Sequence, residues 1–400
     1  MSKLPIIVVG AGLGGAMAAL ALARKGFDVQ VLEEAEEFGV IGFGIQLGPN
    51  VFWMLDRLGV ADAVLAKALR PKSLVMYDWI DGEVIARIPT GDSFVRRFKK
   101  PYVVIHRVDL HKVLLEACRA LPNVQMIANS SVKSFEDLGD RVRVELTNGK
   151  HHEGAALIGA DGIRSTIRQQ MRNEGPPRSL GYVAHRTIVP MSDVNFDVDT
   201  ENVVMWYGDG FHIVHYPLRD HTLFNVVTVF KTLDMAPTDS DSPHPDLARV
   251  YRDSHPTMKK LWGMMDLSRR GWVSHDRDPI RHWSKGRVTL LGDAAHPTLQ
   301  SLAQGACMAI EDAVCLAELL DGTAGNQVEA AFTQYVNARY LRTARVQYES
   351  RYYWDNWYHV GGLEREVMRE TWQKKSEQDM FDCVAWLYDG FELPRKKEAA

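Results

Sequence analysis

The hydrophobic pattern at the start of the chain predicts a strand, a helix and a second strand. Residues 4–9 are a short apolar run, residues 16–25 are rich in alanine, and residues 28–32 form a second apolar run. The charge-free stretch that holds the first two elements could pass for a membrane span or a signal peptide. Glycines at positions 10, 12, 14 and 15 interrupt it, and each weakens a helix by ~1 kcal/mol relative to alanine. We therefore expect a β-α-β unit, with no membrane span and no targeting segment.

The rest of the chain alternates between helical and extended patterns, with glycine and proline between them. The predicted elements are a loop at residues 39–49, helices at 51–58 and 110–120, a two-stranded pair at 124–127 and 142–146, and a strand at 155–158. The next are strands at 182–189, 203–207, 211–216 and 223–230, an exposed loop at 232–246, a strand at 287–291, and helices from residue 305 to about 386. This order predicts an α/β protein.

Composition and charge narrow the class of protein. The 400 residues are 46% hydrophobic and 24% charged, with a formal net charge of −4, which is typical of a globular protein. The mild acidity argues against nucleic-acid binding, which favours an excess of lysine and arginine. Four widely separated cysteines with no C-x-x-C pair indicate a reducing cytoplasm. No motif has metal-ligand spacing, so no catalytic metal is expected.

An aromatic stretch lies near the end of the chain, at residues 348–358, with arginines nearby. Such a stretch could stack on nucleic-acid bases. We interpret it instead as a helix that packs on the main body or on a second subunit, which leaves a homodimer possible.

A glycine-rich turn carries the first chemical signal. Gly10, Gly12 and Gly15 follow the first strand as G-x-G-x-x-G and lead into the helix. In such a motif the first glycine allows the tight turn, the second lets the backbone approach a pyrophosphate, and the third lets helix and strand pack closely. Glu33 closes the second strand, where a carboxylate accepts hydrogen bonds from ribose hydroxyls. The pattern predicts dinucleotide binding, and it does not choose between FAD and NAD.

Two later motifs each follow a predicted strand. They are Gly-Ala-Asp-Gly at residues 159–162 and Gly-Asp-Ala-Ala-His-Pro at residues 292–297. Together with the glycine-rich turn, they make the chain resemble the FAD-dependent aromatic hydroxylases, which are single-component flavoprotein monooxygenases, over about residues 4–345. The resemblance implies a Rossmann-like FAD-binding domain, an inserted and mostly antiparallel β-sheet domain for the substrate, and a helical C-terminal region. The expected domains are residues 1–75, 100–180 and 270–340 for FAD, 76–99 and 181–269 for the substrate, and 341–400 for the C-terminal region.

The resemblance also implies which residues contact FAD. It places Asp293 at the ribityl chain and Pro297 beside the flavin ring. The helix that begins near Gly305 would direct its positive end at the flavin. Arg107 corresponds to an arginine that contacts FAD in the family.

Two positions near these contacts are less determined. The resemblance places Asp161 between the FAD and nicotinamide sites, whereas the sequence around it equally predicts a plain turn. Glu34 stands where the family commonly carries an arginine beside the adenosine. The resemblance therefore does not indicate how the adenine side is held.

Residues 211–216 predict one wall of the substrate site. In a strand, His212 and Tyr216 share one face and His215 lies on the other. A lone histidine is more often a hydrogen-bonded core residue than a base, but the resemblance favours His212 as the base. Gln300, in the loop before the helix at residue 305, is a candidate to bind a substrate hydroxyl. Tyr102 is a further pocket candidate.

The expected activity follows from the resemblance. NAD(P)H reduces FAD, and the reduced flavin uses O2 to hydroxylate a small phenolic acid. Residues 38–49, 212–219 and 296–312 are most similar to family members that act on 3-hydroxybenzoate, which implies hydroxylation para to the phenol and gives 2,5-dihydroxybenzoate. Salicylate and 6-hydroxynicotinate stay open as substrates. A flavin-free nicotinamide dehydrogenase and a non-enzymatic flavin-fold binding protein are the alternatives from other classes.

Overall fold

The computed structural model describes residues 4–39, 42–232, 252–265, 271–323 and 325–394. Apart from residue 232, the loop predicted at 232–246 lies outside the described residues. No described helix is long and apolar enough to cross a membrane.

The strands fall into four sheets. In chain order they are β1 (Ile6–Val9), β2 (Val29–Leu32), β3 (Gly44–Leu47), β4 (Ser73–Asp78), β5 (Val84–Pro89), β6 (Val103–His106), β7 (Val124–Ile127), β8 (Val132–Asp137), β9 (Val142–Leu146), β10 (His151–Gly154), β11 (Ala156–Gly159), β12 (Arg178–Pro190), β13 (Val203–Gly208), β14 (Phe211–Leu218), β15 (Leu223–Lys231), β16 (Trp272–Asp276), β17 (Ser284–Lys285) and β18 (Val288–Leu290).

The helices lie mainly in the first and last parts of the chain. They are α1 (Leu13–Arg24), α2 (Pro49–Arg57), α3 (Ala61–Leu65), α4 (Asp92–Phe98), α5 (Arg107–Arg119), α6 (Thr166–Arg172), α7 (Pro256–Gly263), α8 (Gly305–Leu320), α9 (Val328–Tyr353), α10 (Gly362–Gln373) and α11 (Glu377–Tyr388).

A six-stranded sheet forms the Rossmann-like part of the fold. Its order is β17-β18-β11-β1-β2-β7, and every pair is parallel except β17 with β18. All four residues of β1 are buried, because a parallel sheet covered on both faces favours a continuous apolar strand. Helix α1 packs against α8 and α5. This arrangement confirms the predicted β-α-β unit and the α/β fold.

A seven-stranded sheet forms the second body of strands. Its order is β16-β12-β15-β14-β13-β4-β5, and only β13 with β4 is parallel. Strand β14 lies inside the sheet, paired with β13 and β15. One face of β14 packs on α7 through a core that includes Phe211, Ile213 and Leu261. The other face is therefore left to form a wall of a cavity.

Two local predictions were wrong. The loop expected at residues 39–49 contains β3, which pairs with β6, because a partner distant in sequence overrides the loop signal of its glycines. The pair expected from residues 124–127 and 142–146 does not form. Strand β7 joins the parallel sheet beside β2, and β9 pairs with β8 and β10 instead.

The C-terminal helices return to the seven-stranded sheet. Helix α9 continues into a π-helical turn, Trp354–Tyr358, and α10 and α11 pack on β5. Nε of Arg365 in α10 donates to the buried carboxylate of Asp78 in β4 at 2.7 Å. The predicted division into domains stays a prediction, and the sheet strands β4 and β12 extend across its boundaries at residues 75 and 180.

Candidate active site

The glycine-rich turn is built for close packing at two positions and for open space at a third. Gly10 has a φ of +95°, and a Cβ there would lie 2.6 Å from the carbonyl oxygen of Ala160. A Cβ on Gly15 would lie only 1.8 Å from the carbonyl oxygen of Gly10. A Cβ on Gly12 would meet nothing within 4 Å. The backbone at Gly12 is therefore open to a ligand, while Gly10 and Gly15 hold the turn against its neighbours.

Glu33 lies at the end of β2, beside this turn. Its Oε2 accepts a hydrogen bond from the backbone N–H of Ala11 at 2.7 Å, and its Oε1 accepts one from Ala35 at 3.0 Å. The carboxylate thus fixes the glycine-rich turn from the position where a ribose would be expected.

The second motif of the cofactor side follows β18. Asp293 opens towards a cavity, and a Cβ on Gly305, at the start of α8, would lie 3.8 Å from its Oδ1. Burial in the cavity wall raises the pKa of Asp293, and the positive charge of Arg107 opposes that rise. Burial lowers the pKa of Arg107, and the negative charge of Asp293 opposes this by raising it. The carboxylate, the guanidinium and the helix N-terminus therefore face one space.

Buried hydrogen bonds hold this motif in place from behind. Nη1 of Arg168 donates to the carbonyl oxygens of Ala294 and Ala295 at 3.1 and 2.8 Å. Nε2 of Gln347 donates to the carbonyl oxygen of Pro297 at 2.9 Å. Pro297 itself is buried behind the cavity surface, so its contact with a flavin stays a prediction.

One cavity of about 550 Å³ joins the two halves of the site. Its lining includes these predicted residues: Gly12, Tyr102, Arg107, His212, Tyr216, Asp293, Gln300 and Gly305. The predicted cofactor residues and the predicted substrate residues thus line the same space.

Asp161 does not line this cavity. Its Oδ2 accepts from the backbone N–H of Ile167 at 3.2 Å, at the start of α6, and its Oδ1 is buried without a partner in the described part of the chain. Burial raises its pKa. The plain-turn alternative accounts for these contacts, and a place between FAD and nicotinamide stays a prediction.

These residues fit FAD. The open backbone at Gly12 and the start of α1 suit a pyrophosphate, and the carboxylate of Asp293 forms no hydrogen bond within the described ranges, so it is available to hydroxyl groups. The start of α8 adds a partial positive charge at the cavity. Gly12, Arg107, Asp293 and Gly305 are therefore the residues that would hold the cofactor.

A row of hydrogen-bonded polar side chains also lines this cavity. Nη2 of Arg186, in β12, donates to Oε1 of Gln300 at 3.0 Å. Nε2 of Gln300 lies 3.4 Å from Nε2 of His212. Nδ1 of His212 lies 2.9 Å from Nε2 of His359, whose Nδ1 lies 2.9 Å from the carbonyl oxygen of Trp354. The row runs from the inserted sheet to the C-terminal region.

Burial lowers the pKa of two side chains in this row, His212 and Arg186. Burial lowers the pKa of His212 to about 3, whereas an unperturbed histidine titrates near ~6.5. The imidazole is therefore neutral at neutral pH. Burial also lowers the pKa of Arg186, with a smaller rise from Tyr216. No carboxylate in the described ranges forms an ion pair with Arg186, and its guanidinium lies over the rings of Phe43 and Trp272 at 6.0 and 5.7 Å.

Tyr216 and Tyr102 complete the pocket beside Gln46. The hydroxyl of Tyr102 donates to Oε1 of Gln46, and burial raises the pKa of both phenols, so both stay protonated at neutral pH. Gly44 in β3 lets the chain approach, because a Cβ there would lie 2.5 Å from the Tyr216 hydroxyl. Strand β3, which the sequence did not predict, therefore shapes the substrate pocket.

His215 lies on the other face of β14, as the alternation predicts. Its Nε2 accepts from Nε1 of Trp206 at 3.2 Å, and its side chain is fully buried. His215 is the hydrogen-bonded core histidine, and His212 is the one at the cavity.

Sequence reasoning missed Arg186 and His359. A signal existed for Arg186, which is a lone charge inside the mostly apolar run 182–189. His359 belongs to no motif and follows the aromatic stretch, so only the fold brings it to His212.

Comparison with known proteins decides the family. Residues 3–349 match the family described as FAD binding domain. The chain belongs to this family. The expected resemblance to FAD-dependent aromatic hydroxylases is confirmed, and so is FAD as cofactor with NAD(P)H as cosubstrate.

Relatives of this FAD-binding chain include a hydroxylase and a monooxygenase. It is 41% identical to a 3-hydroxybenzoate 6-hydroxylase of Polaromonas naphthalenivorans (strain CJ2), over 97% of this chain and 96% of that one. It is 36% identical to a 6-hydroxynicotinate 3-monooxygenase of Pseudomonas fluorescens, over 98% and 97%. Among solved structures, Klebsiella pneumoniae HpxO complexed with FAD and uric acid matches with a TM-score of 0.84 and 25% identity, over 96% of each chain.

Proposed function

We propose that this protein hydroxylates 3-hydroxybenzoate para to its hydroxyl group and forms 2,5-dihydroxybenzoate. One O2 and one NAD(P)H are consumed with a proton. One oxygen atom enters the ring, the other leaves as water, and NAD(P)⁺ is released. The observation that carries the proposal is the row of Arg186, Gln300 and His212, which lines the same cavity as the predicted FAD residues.

Arg186 is suited to hold the substrate carboxylate. It is a guanidinium in a cavity wall without a carboxylate partner in the described part of the chain, and bidentate pairing with a carboxylate is the strongest use of that group. Phe43 and Trp272 hold its plane by cation–π contact. An anionic aromatic acid would supply the missing negative charge.

His212 and Gln300 are suited to the phenolic hydroxyl. The oxygen that hydroxylation adds is electrophilic, so a ring made electron-rich by its own hydroxyl reacts faster. A neutral imidazole accepts a hydrogen bond from the phenol. Because the pKa of His212 is about 3, the ligand-free site favours a shared proton over a fully transferred one.

The same row favours the para position. A phenolic oxygen pushes electron density to its ortho and para carbons. If His212 and Gln300 hold the hydroxyl at the end of the cavity away from the flavin, the para carbon is the one presented to the flavin. When bound there, FAD supplies electron transfer from NAD(P)H and activation of O2. A substrate whose para carbon carries the carboxylate, such as 4-hydroxybenzoate, should then react poorly.

The decisive experiment measures NADH and NADPH oxidation by the purified FAD-loaded protein with a panel of aromatic acids, and identifies each product. We expect 3-hydroxybenzoate to be preferred over salicylate, 4-hydroxybenzoate and 6-hydroxynicotinate. A main product of 2,3- or 3,4-dihydroxybenzoate would refute the para geometry. A preference for 6-hydroxynicotinate, which the similarity to a 6-hydroxynicotinate 3-monooxygenase makes the second candidate, would change the substrate and keep the reaction class.

Arg186→Met tests the carboxylate assignment. A hydrogen bond to a charged group contributes ~1.5–3 kcal/mol, so KM for 3-hydroxybenzoate should rise roughly tenfold to a hundredfold. The neutral analogue 3-hydroxybenzamide serves as the control, and its KM should change little. Equal losses for acid and amide would remove Arg186 as the carboxylate anchor.

A cytoplasmic location and a homodimer stay predictions from the sequence.

A further inference from the structure

We propose that His359 is a positioning residue that fixes the tautomer of His212, so that the lone pair of His212 Nε2 faces the cavity. Its effect on hydroxylation rests on the function proposed above, whereas the tautomer itself does not. The argument starts from two groups at the ends of the polar row whose hydrogen-bonding direction has no alternative.

The carbonyl oxygen of Trp354 fixes one end, because a carbonyl can only accept. Nδ1 of His359, 2.9 Å away, must therefore carry the hydrogen. A neutral imidazole has one N–H, so Nε2 of His359 holds a lone pair. Nδ1 of His212, 2.9 Å from that lone pair, must then donate. The single N–H of His212 is thereby placed on Nδ1, and Nε2 is left as the acceptor.

Arg186 fixes the other end, because a guanidinium can only donate. Its bond to Gln300 makes the accepting atom the amide oxygen. The amide nitrogen of Gln300 is then the atom directed at His212 Nε2, at 3.4 Å. Both ends thus require the same direction, and a phenol that replaces the Gln300 amide at Nε2 would also donate.

This assignment requires both histidines to be neutral. Burial lowers the pKa of His212 to about 3. Burial also lowers the pKa of His359 well below its ordinary value, with smaller contributions from His212 and Lys231, although the bond to Trp354 opposes them. No described carboxylate forms an ion pair with either imidazole. One hydrogen on each ring is therefore the state at neutral pH.

Aromatic packing holds both rings in this geometry. The ring of His359 stacks on Tyr182, with centroids 4.5 Å apart, and meets Trp354 edge-on at 4.6 Å. The ring of His212 meets Trp354 and Tyr358 at 5.4 and 5.5 Å. Neither ring can flip without displacing neighbours, so the hydrogen-bond direction is built into the packing.

The pair also provides for the phenolic proton. If the O–H bond breaks, a new N–H bond forms at His212 Nε2 and the ring gains one positive charge. The hydrogen on Nδ1 can then shift to the lone pair of His359 Nε2, which moves the charge one ring further from the substrate. Return of the proton by the same path restores both neutral rings.

Nitrogen NMR of the FAD-loaded protein with ¹⁵N-labelled histidine tests the tautomer directly. We expect the neutral His212 ring to show its hydrogen on Nδ1, with the Nε2 signal shifting when the aromatic acid binds. An Nε2–H tautomer in the parent protein would overturn the proposal, whatever the substrate proves to be. A parent that binds no hydroxybenzoate but shows the Nδ1–H tautomer would refute only the proposed function.

His359→Leu and His359→Gln test the consequence. Leucine removes the acceptor, so His212 is released to the Nε2–H tautomer, and the fraction of NADH that yields product should fall at least roughly tenfold. Complete loss of base assistance would cost ~10²–10⁴-fold. Glutamine offers an amide oxygen and should restore part of that yield. FAD content and thermal unfolding check that each variant folds. An unchanged yield and tautomer in a folded His359→Leu would contradict the proposal, and a leucine variant that fails to fold leaves the parent spectrum to decide.

Discussion

Nε2 of His296 lies 2.5 Å from Oδ2 of Asp312, and both side chains are buried. The same oxygen accepts from the backbone N–H of Gly292 at 3.0 Å, and Oδ1 accepts from Nε of Arg339 at 2.7 Å. Burial opposes ionisation of Asp312, but His296 and Arg339 outweigh it and lower its pKa to about 2. One carboxylate therefore ties the segment that carries Asp293 to α8 and α9.

Asp312→Ala should destabilise the protein strongly. Loss of the Asp312 carboxylate leaves His296 and the backbone N–H of Gly292 without their acceptor, and Arg339 keeps only Glu311 as a carboxylate partner. Each buried group left unpaired costs ~1–3 kcal/mol, and the Asp293 segment loses its anchor. Denaturant unfolding of the FAD-loaded protein measures the loss. Glu370→Gln is the matched control, because Glu370 pairs with Lys374 on the surface, and it should leave stability unchanged. Equal stability of the two variants would show that the buried pair contributes nothing.

Substitutions at the glycines of the turn should distinguish an effect on folding from an effect on cofactor binding. Gly12→Val places a branched side chain in space that is open without a ligand, so the variant should fold and purify with little FAD. Gly15→Ala puts a Cβ 1.8 Å from a backbone oxygen and should unfold or distort the turn. Absorbance of bound flavin and circular dichroism distinguish the two. A Gly12→Val protein fully loaded with FAD would argue against phosphate binding at this turn. In the same way, an Asp293→Ala protein fully loaded with FAD would argue against a contact between Asp293 and the ribityl chain.

His215 should give stability a specific pH dependence. Burial lowers its pKa to about 3, whereas an unfolded histidine titrates near ~6.5. As the pH falls, His215 takes up a proton in the unfolded chain before it does so in the folded protein. The contribution of neutral His215 to stability is therefore fully present above pH ~6.5 and is lost as the pH falls towards 3. His215→Phe should reduce that slope by ~1.4 kcal/mol per pH unit. The control is Val226→Ala, opposite His215 in β15, which should lower stability by the same amount at each pH. If stability of His215→Phe changed with pH in parallel with the parent protein, a buried neutral histidine at 215 would be contradicted.

Gln300→Ala should uncouple electron flow from hydroxylation. The amide links Arg186 to His212, and without it both ends of the substrate lose a fixed neighbour. FAD content should stay unchanged, because the cofactor residues are separate. Hydrogen peroxide and product per NADH are the measurements, and we expect more peroxide and less product. An unaltered product-to-NADH ratio would remove Gln300 from the substrate site.

The sequence predicted the parts of the site that local chemistry determines. Gly10 and Gly15 must be glycine because neighbouring backbone lies where a Cβ would be, and Gly12 leaves open space for a ligand. A histidine at 212 shares a face with Tyr216 because a strand alternates. These constraints act within a few residues, so they are visible in one chain without partners.

The parts it missed depend on contacts between distant segments. Strand β3 forms because β6 offers a partner about sixty residues later, and no local signal outweighs its glycines. Arg186 stands out because no carboxylate among the described residues pairs with it. His359 depends on a π-helical turn that places it behind His212. The pKa of His212 also depends on burial that residues 211–216 alone do not determine.

The polar wall ends in residues 354–359, whereas every predicted cofactor residue lies at or before position 305. The two halves of the site are therefore finished at different times as the chain is synthesised, with the cofactor half first. A chain cut after Tyr353 would keep the residues proposed to bind FAD and lose the partner of His212. Damage to the C-terminus, far in sequence from the glycine-rich turn, would then decide whether electrons taken from NAD(P)H end in product or in wasteful reduction of oxygen.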